Sequence, residues 1–486
     1  SPDAFYGLYQ APGVNQSGYQ KVDNDQFSIN VAGSMDIGNH EVKLGFQYEQ
    51  RTNRYITYAP TDFWGLMRGL TNFHLIELDK QNPFVISYDG TVDTIMYYRK
   101  YDANSQRVFD QNLRTKLGFD VDGLDYIVID SYDYNNNSIE YYDKNGEKHT
   151  ISAGEELFDI SMFSPDELLN DGNFYTNYSG FDYKGNKLKA KPSFEEFFNE
   201  RDENGMYTRP IGAFQPIYMA GYLQDKFAFR DLIFNIGVRI DRFDANQKVL
   251  KDPYLLYNAF TAGEVSEIKG QPITHPVGIG NDYTVYVDKV DDPSRVVGYR
   301  FENTWYNDQG AVIQDPSVLD AGSGIAPYLT NPNQETVNIS AFKDYDPQIS
   351  VMPRISFSFP ISDEALFFAH YDVLTQRPTS NLFSNPAIYY FFENIGNTIN
   401  NPSLKPSQTI DYELGFTQKL TNTSSITFTT FYREMRNMIQ IYRFNGAYPK
   451  DYTSYSNLDF GTVKGLTVEY DLRRTNNARV RAGYTL

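Results

Sequence analysis

Five histidines, His40, His74, His149, His275 and His370, are the residues most able to hold a metal or carry a proton. A metal centre needs two or three such ligands at fixed spacing, as in a helical His-x-x-x-His pair, and none of these positions has that neighbour. They read as structural, although His370 falls in a strand where it can face an interior. The chain has no cysteine, which removes thiolate nucleophiles, thiolate zinc and disulfides together. No phosphate-binding loop, dinucleotide fingerprint or nucleophile elbow occurs.

Carboxylates are abundant, as in Asp120-Val121-Asp122-Gly123-Leu124-Asp125 and the run from Asp130 to Asp133. Glycoside cleavage needs two of them about 5–9 Å apart across a cleft, and among 62 acidic residues adjacency arises by chance. We therefore expect no enzyme. Asp143-Lys144-Asn145-Gly146-Glu147 and Asp202-Glu203-Asn204-Gly205 look like the opening of calcium loops, but the full ligand series is missing. An Asp- or Asn-Gly turn explains them more simply. Calcium in these loops is the only cofactor the sequence admits. The formal charge of −19 repels phosphate backbones and argues against nucleic acid. Much of it lies between Asp120 and Glu203, with twenty Asp and Glu against seven Lys and Arg.

What remains is aromatic: 40 Tyr and 35 Phe, against 2 Trp. Tyr and Phe favour strands, and a Tyr ring suits an interface that is wet at one end. The strands themselves are legible. From Gln26 to Asp36, Phe27, Ile29, Val31 and Met35 alternate with polar residues. Beyond Gly38-Asn39 a second run alternates Val42, Leu44, Phe46 and Tyr48 with Lys43, Gly45, Gln47 and Glu49. Period-two alternation about a Gly-Asn turn is a hairpin. Hairpins are expected near 26–56, 217–244, 349–374, 409–441 and 459–486, the third turning at Pro360-Ile361-Ser362-Asp363. Extracellular loops are expected near 57–215, 246–347, 375–406 and 443–458. Minimal turns alternating with very long loops are the layout of an outer-membrane barrel, whose strands must close on one another because lipid satisfies no backbone amide. This arrangement places Ser1 and the long loops outside and the Gly-Asn, Ser-Asp and Asn476-Asn477 turns in the periplasm. The last strand is still rising when the sequence ends, so the barrel is expected to be incomplete in this chain. Two loop helices are also expected, one starting at Ser164-Pro165-Asp166-Glu167 and one from Ser193-Phe194-Glu195-Glu196 through Phe198. No apolar run reaches the length of a membrane-spanning helix, and no secretory leader opens the sequence.

Several strands carry recognisable wording. Val351-Met352-Pro353-Arg354-Ile355-Ser356-Phe357-Ser358-Phe359-Pro360-Ile361-Ser362-Asp363 resembles the "PR…P-hydrophobic-x-D" hairpin of TonB-dependent receptors. Leu366–Asp372 with Gln376-Arg377-Pro378, Asn401–Pro406 with Ile410–Phe416, Phe431–Ile439 and Val463–Tyr470 resemble the strands that follow it in that family. The Tyr- and Asn-rich loops are most similar to the Bacteroidota receptors with a carboxypeptidase-regulatory-like N-terminal domain. The resemblance implies a portion of a 22-stranded transmembrane antiparallel β-barrel, all-β, occupying residues 1–486. The plug and the N-terminal domain would lie outside this chain, as would the TonB box.

The implied function is TonB-dependent binding and import of a nutrient ligand (glycan, peptide or chelate) at the bacterial outer membrane. The alternative is a structural or adhesin-like barrel subunit of a multiprotein outer-membrane complex. Partners would be outer-membrane lipid, TonB through the plug, and a surface lipoprotein or other outer-membrane subunit. For ligand contact the sequence offers the loop aromatics Tyr389, Tyr390, Phe391, Phe392, Tyr97, Tyr98, Tyr141 and Tyr142. For the lumen and plug it offers Arg239, Asp241, Arg354 and Glu413, able to make charge-assisted hydrogen bonds. No catalytic residue and no metal ligand is expected.

Overall fold

The computed structural model describes residues 18–75, 78–88, 92–320, 324–378, 380–475 and 477–486. Ser1 and Asn476 fall outside them. Ten strands follow one another in a single antiparallel path: β1 (Tyr19–Ile37), β2 (His40–Tyr58), β3 (Ile217–Phe229), β4 (Leu232–Asp244), β5 (Gln348–Ser362), β6 (Ala365–Gln376), β7 (Ser407–Thr421), β8 (Ser424–Phe444), β9 (Tyr452–Thr475) and β10 (Ala478–Thr485). An eleventh, Thr176–Ser179, joins the sheet beside the far end of β2. The chain divides into two compact units, one of residues 1–23 with 54–213 and the other of 24–53 with 214–486. The division falls within β1 and β2.

Turns at one end of the strands are minimal. Gly38 takes φ +59° at the first position of its two-residue turn, the place where a type II′ hairpin requires glycine. Two boundaries differ from expectation. β5 continues through Pro360 to Ser362, with a register shift between those two residues, and a bulge is one of the few places where a strand tolerates proline. β8 reaches Phe444 and β9 begins at Tyr452, so the last connection is shorter than 443–458. Asn437 takes φ +57° and the β8–β9 register shifts around Met438. Such a bulge reverses the alternation within the strand, which the expected span of 409–441 crosses.

Register shows which residues share a face. One row joins Phe359, Phe367, Phe416, Phe428, Val468 and Tyr484 across β5 to β10. Another joins Ile236, Ile355, Tyr371, Tyr412 and Tyr432. Leu44, Leu223 and Val238 continue the same face through β2, β3 and β4. Many of these side chains are exposed, including Leu44, Leu223, Ile236, Ile355 and Leu414. The row through Ile236 passes through Asp225 to Val42 on one side and reaches Lys464 on the other. Barrel strands tilt by roughly 35–45°, so a row perpendicular to them climbs the wall. Asp225 accordingly lies near its strand's turn end, and Lys464 lies well away from its own. The fold class is as expected: all-β, an antiparallel meander with the strand order and faces of a transmembrane barrel wall.

The unit containing residues 54–213 is built differently. Phe109, Leu113, Ile127, Ile139, Leu157 and Leu168 form a closed core packed by Phe63, Phe158 and Tyr175. Its first expected helix is present as Pro165–Leu169, with a capping box between Ser164 and Glu167. Ser193 and Glu196 exchange the same pair of bonds ahead of helix Glu196–Asn199. Within the second unit, Asn401–Pro406 delivers Leu404, almost wholly buried, into a core with Phe243, Val249, Tyr345 and Leu382.

Candidate functional site: the polar face and its groove

The face opposite the apolar rows is chemically distinct. One register row across it reads Lys43, Gln224, Gly237, Arg354, Asp372, Asp411, Arg433. A second reads Glu41, Lys226, Asn235, Ser356, His370, Glu413, Phe431. Two-residue periodicity puts them here, because each is one residue out of step with an apolar neighbour.

The charges assemble into local networks. Arg239 donates to Asp241 at 2.8 Å and to the Tyr218 hydroxyl at 2.7 Å, while Tyr218 donates to Asp241 at 2.6 Å. Gln47 accepts from Arg239 at 3.3 Å. Glu49, nearly buried, receives Arg51 at 2.8 Å and Arg377 at 3.0 Å, and the Arg377 guanidinium lies 4.5 Å from the Tyr218 ring centre. Farther along, Arg433 bridges Asp411 at 2.9 Å and Glu413 at 3.0 Å. A barrel interior excluded from lipid but open to water sustains such pairs without the desolvation cost of a true core.

Glycine opens space on this face. A Cβ on Gly45 would strike the Tyr222 ring at 2.3 Å, and one on Gly415 would meet the Phe368 ring at 2.0 Å. In both places the ring of the adjacent strand lies over the glycine. Lys43, Gln224, Asn235, Arg239, Arg354 and His370 line a concavity of about 640 Å³, within the size range of ligand sites.

The expected lumen residues therefore all lie on the polar face. Arg239 and Asp241 bond each other, Arg354 is exposed at the groove, and Glu413 is held by Arg433. Glu49, Tyr218, Arg377 and Arg433 complete these networks and Lys43 lines the groove, none of them having been singled out. Parity was their signal within the strands: Glu49 and Lys43 are even steps apart, and Arg433 registers with Asp411, two residues from Glu413.

The aromatic candidates separate. Tyr389 and Phe392 are only 2% and 1% exposed, which corrects their expected role in ligand contact. Tyr389 packs on Phe342, and Phe392 packs on Tyr452. Burial pushes the Tyr389 hydroxyl up to about 12. The run begins in helix Pro386–Tyr390 and passes into a further helical turn, Phe392–Asn394, so Tyr389 and Phe392, three residues apart, share the buried side. Tyr390 and Phe391 are half-buried, with ring centres 4.8 Å apart. Tyr97 is exposed on strand Val92–Arg99, and the side chain of Tyr98 lies outside the described residues. Tyr141 packs against Phe119 and His149, whereas Tyr142 is exposed.

The calcium-like segments are tight turns. Asp143 accepts the backbone N–H groups of Asn145 and Glu147 at 2.9 and 2.8 Å, and Asp202 accepts those of Asn204 and Met206 at 2.9 Å each. The Glu147 N–H leads the influences that lower the Asp143 carboxyl below its usual range. Asp143, Glu147 and His149 bring one ligand atom each within 4.8 Å of one another at the surface. The turn accounts for their approach.

No family model matches this chain, and no curated protein matches it. Among solved structures it is similar to the copper transporter OprC, with 9% identity over 96% of this chain and 39% of that one, at a TM-score of 0.35. It is also similar to the siderophore receptor PiuA from Acinetobacter baumannii, with 11% identity over 96% and 48% at a TM-score of 0.30. A third is the FrpB iron transporter from Neisseria meningitidis (F3-3 variant), with 9% identity over 96% and 52% at 0.29. The chain spans well under two thirds of each. Likeness at these scores carries no argument, so the fold stands on the strand register of this chain.

Proposed function

We propose that this chain forms part of the wall of an outer-membrane receptor that binds a nutrient outside the cell and imports it, without catalysing a reaction. The single observation that supports this most is the two-sided sheet. Its apolar face, from Leu44 through Leu223, Ile236, Ile355 and Leu414, has no protein cover among the described residues. Its other face holds paired charges and a polar groove. In water such an apolar face would drive aggregation; against lipid it is stabilising.

In this reading the long connections face outward and the short turns face the periplasm. Arg239, Asp241, Arg354 and Glu413 face the lumen, where a plug domain would meet them. Energy for release arrives through TonB acting on that plug. The ligand class is a glycan, peptide or chelate bound by loops and groove together. The resemblance of the β5–β9 strands to TonB-dependent receptors also supports it. Proteolysis of intact cells tests the orientation: cleavage should fall within 57–215 or 246–347. Cleavage confined to Gly38-Asn39 would invert it, and release of the protein from membranes without detergent would remove the reading altogether.

A further inference from the structure

The wall contains a break. β5 stays paired with β4 as far as Phe243 opposite Gln348, and β6 stays paired with β7 as far as Gln376 opposite Ser407. Between β5 and β6, however, the ladder ends at Arg354 opposite Asp372. The stretch of β5 from Gln348 to Pro353 therefore has a partner strand on one side only. Met352, in this stretch, and Leu404 are both nearly buried, and Gln348 Nε2 donates to the Leu404 carbonyl at 3.1 Å.

Alongside lies a cavity of about 560 Å³ lined by the consecutive residues Tyr345–Val351 and, across from them, by Thr375, Ser403, Lys405, Gln408 and Asn437. Thr375 of β6 and Gln408 of β7 face Gln348–Val351 across it, so the cavity lies beside the part of β5 that has no β6 partner. Two polar atoms in this lining are buried and lack a partner: the Tyr345 hydroxyl, on a residue 7% exposed, and Gln348 Oε1. Lys343 is paired with Asp346 at 2.8 Å. The Lys405 ammonium has no ion pair among the described residues, which gives the cavity one uncommitted positive charge.

We propose that this cavity binds an extended peptide of about four residues, which adds as a strand to the open edge of β5 and directs an acidic side chain or terminal carboxylate to Lys405. The inference deepens the receptor reading by naming peptide as the ligand class. A free backbone edge calls for alternating N–H and C=O groups, Gln348 Oε1 calls for a donor, and Lys405 calls for an anion. An extended acidic peptide supplies all three, whereas a neutral sugar, whose hydroxyls both donate and accept, supplies neither the strand-spaced alternation nor the anion.

The chain has no cysteine, so Ser350→Cys and Gln408→Cys each give one reactive thiol, on opposite sides of the cavity. The probe is a fluorescein-labelled Thr-Val-Thr-Val-Asp peptide, added to the detergent-purified protein. Saturable binding should slow maleimide labelling of both thiols at least fivefold. Lys405→Ala should weaken binding about tenfold, and so should N-methylation of alternate peptide amides on the edge-facing side. Lack of binding, binding that leaves both thiols unprotected, equal binding of the N-methylated peptide, or protection by maltotriose in place of the peptide would each overturn the proposal. Because the assay needs neither membrane nor uptake, its failure is separate from failure of the receptor reading.

Discussion

The unit of residues 54–213 and the wall of β2–β9 spend the same apolar residues in opposite ways. In the first, Phe109, Leu113, Ile139 and Leu157 are sealed from solvent, and the acidic excess lies outside them. In the second, Leu44, Leu223, Ile355 and Leu414 stand exposed while the interior face carries Arg239, Glu49 and Arg433. One is folded against water and the other against hydrocarbon. Hydrophobicity alone tells neither apart; the geometry of the stripe does. A period-two stripe unmatched by a second layer needs a solvent that is itself apolar.

Breaking each region's own rule should have the largest effects. Phe109→Ala empties a fully buried, ring-stacked position and should cost the 54–213 unit about 3–5 kcal/mol, read from its denaturant midpoint. Leu414→Arg on the exposed stripe should cost the wall about 2–4 kcal/mol, measured by unfolding from lipid vesicles. Ser356→Arg, one face away, should cost little. Equal penalties for Leu414→Arg and Ser356→Arg would erase the distinction between the faces. A smaller effect is expected at the helix start: Ser164→Ala removes the capping-box acceptor and should cost about 1 kcal/mol, confined to the same unit as Phe109.

The smallest effect is a slope with pH. His74 is buried, and that burial holds its imidazole below the ordinary value of 6.5. Asp110 pulls the other way from 3.3 Å, and Arg114 bonds the same carboxylate at 2.8 Å. The unfolded chain then binds the proton more readily than the folded one, so stability should be full above the ordinary histidine range and fall as pH drops below it. His74→Leu should flatten that slope in the 54–213 unit and leave the wall unchanged. A slope of opposite sign would mean that Asp110 outweighs burial.

The wall was readable because each strand advertises its two faces residue by residue. Val42, Leu44 and Phe46 could be assigned to one side without any partner in view. Reading failed where parity breaks. The expected strand ran through the bulge at Asn437 and stopped at Ile441, three residues short of Phe444, and the parting of β5 from β6 leaves no trace, since Ile349 and Val351 alternate as if still paired. The loop aromatics were legible as residues and not as surfaces. Tyr389 and Tyr390 are adjacent in sequence, yet the helical turn sends only the first into the core beside Phe342. The separate core of residues 54–213 was equally hidden, because Phe63, Phe109 and Phe163 meet from distant segments with no shared period. On the polar face, parity located Arg239 and Glu413, but Arg377 lies beyond the last residue of β6 and comes to Glu49 only through the fold.

Lipid exposure of one face is the claim on which the rest stands. Ile355 and Ser356 are adjacent on β5 and face opposite ways. With Trp64 and Trp305 replaced by Phe, a single tryptophan placed at either position can be read in vesicles of brominated lipid. The account predicts strong quenching for Ile355→Trp and little for Ser356→Trp. Equal quenching at the two positions, or none at Ile355→Trp, would contradict it.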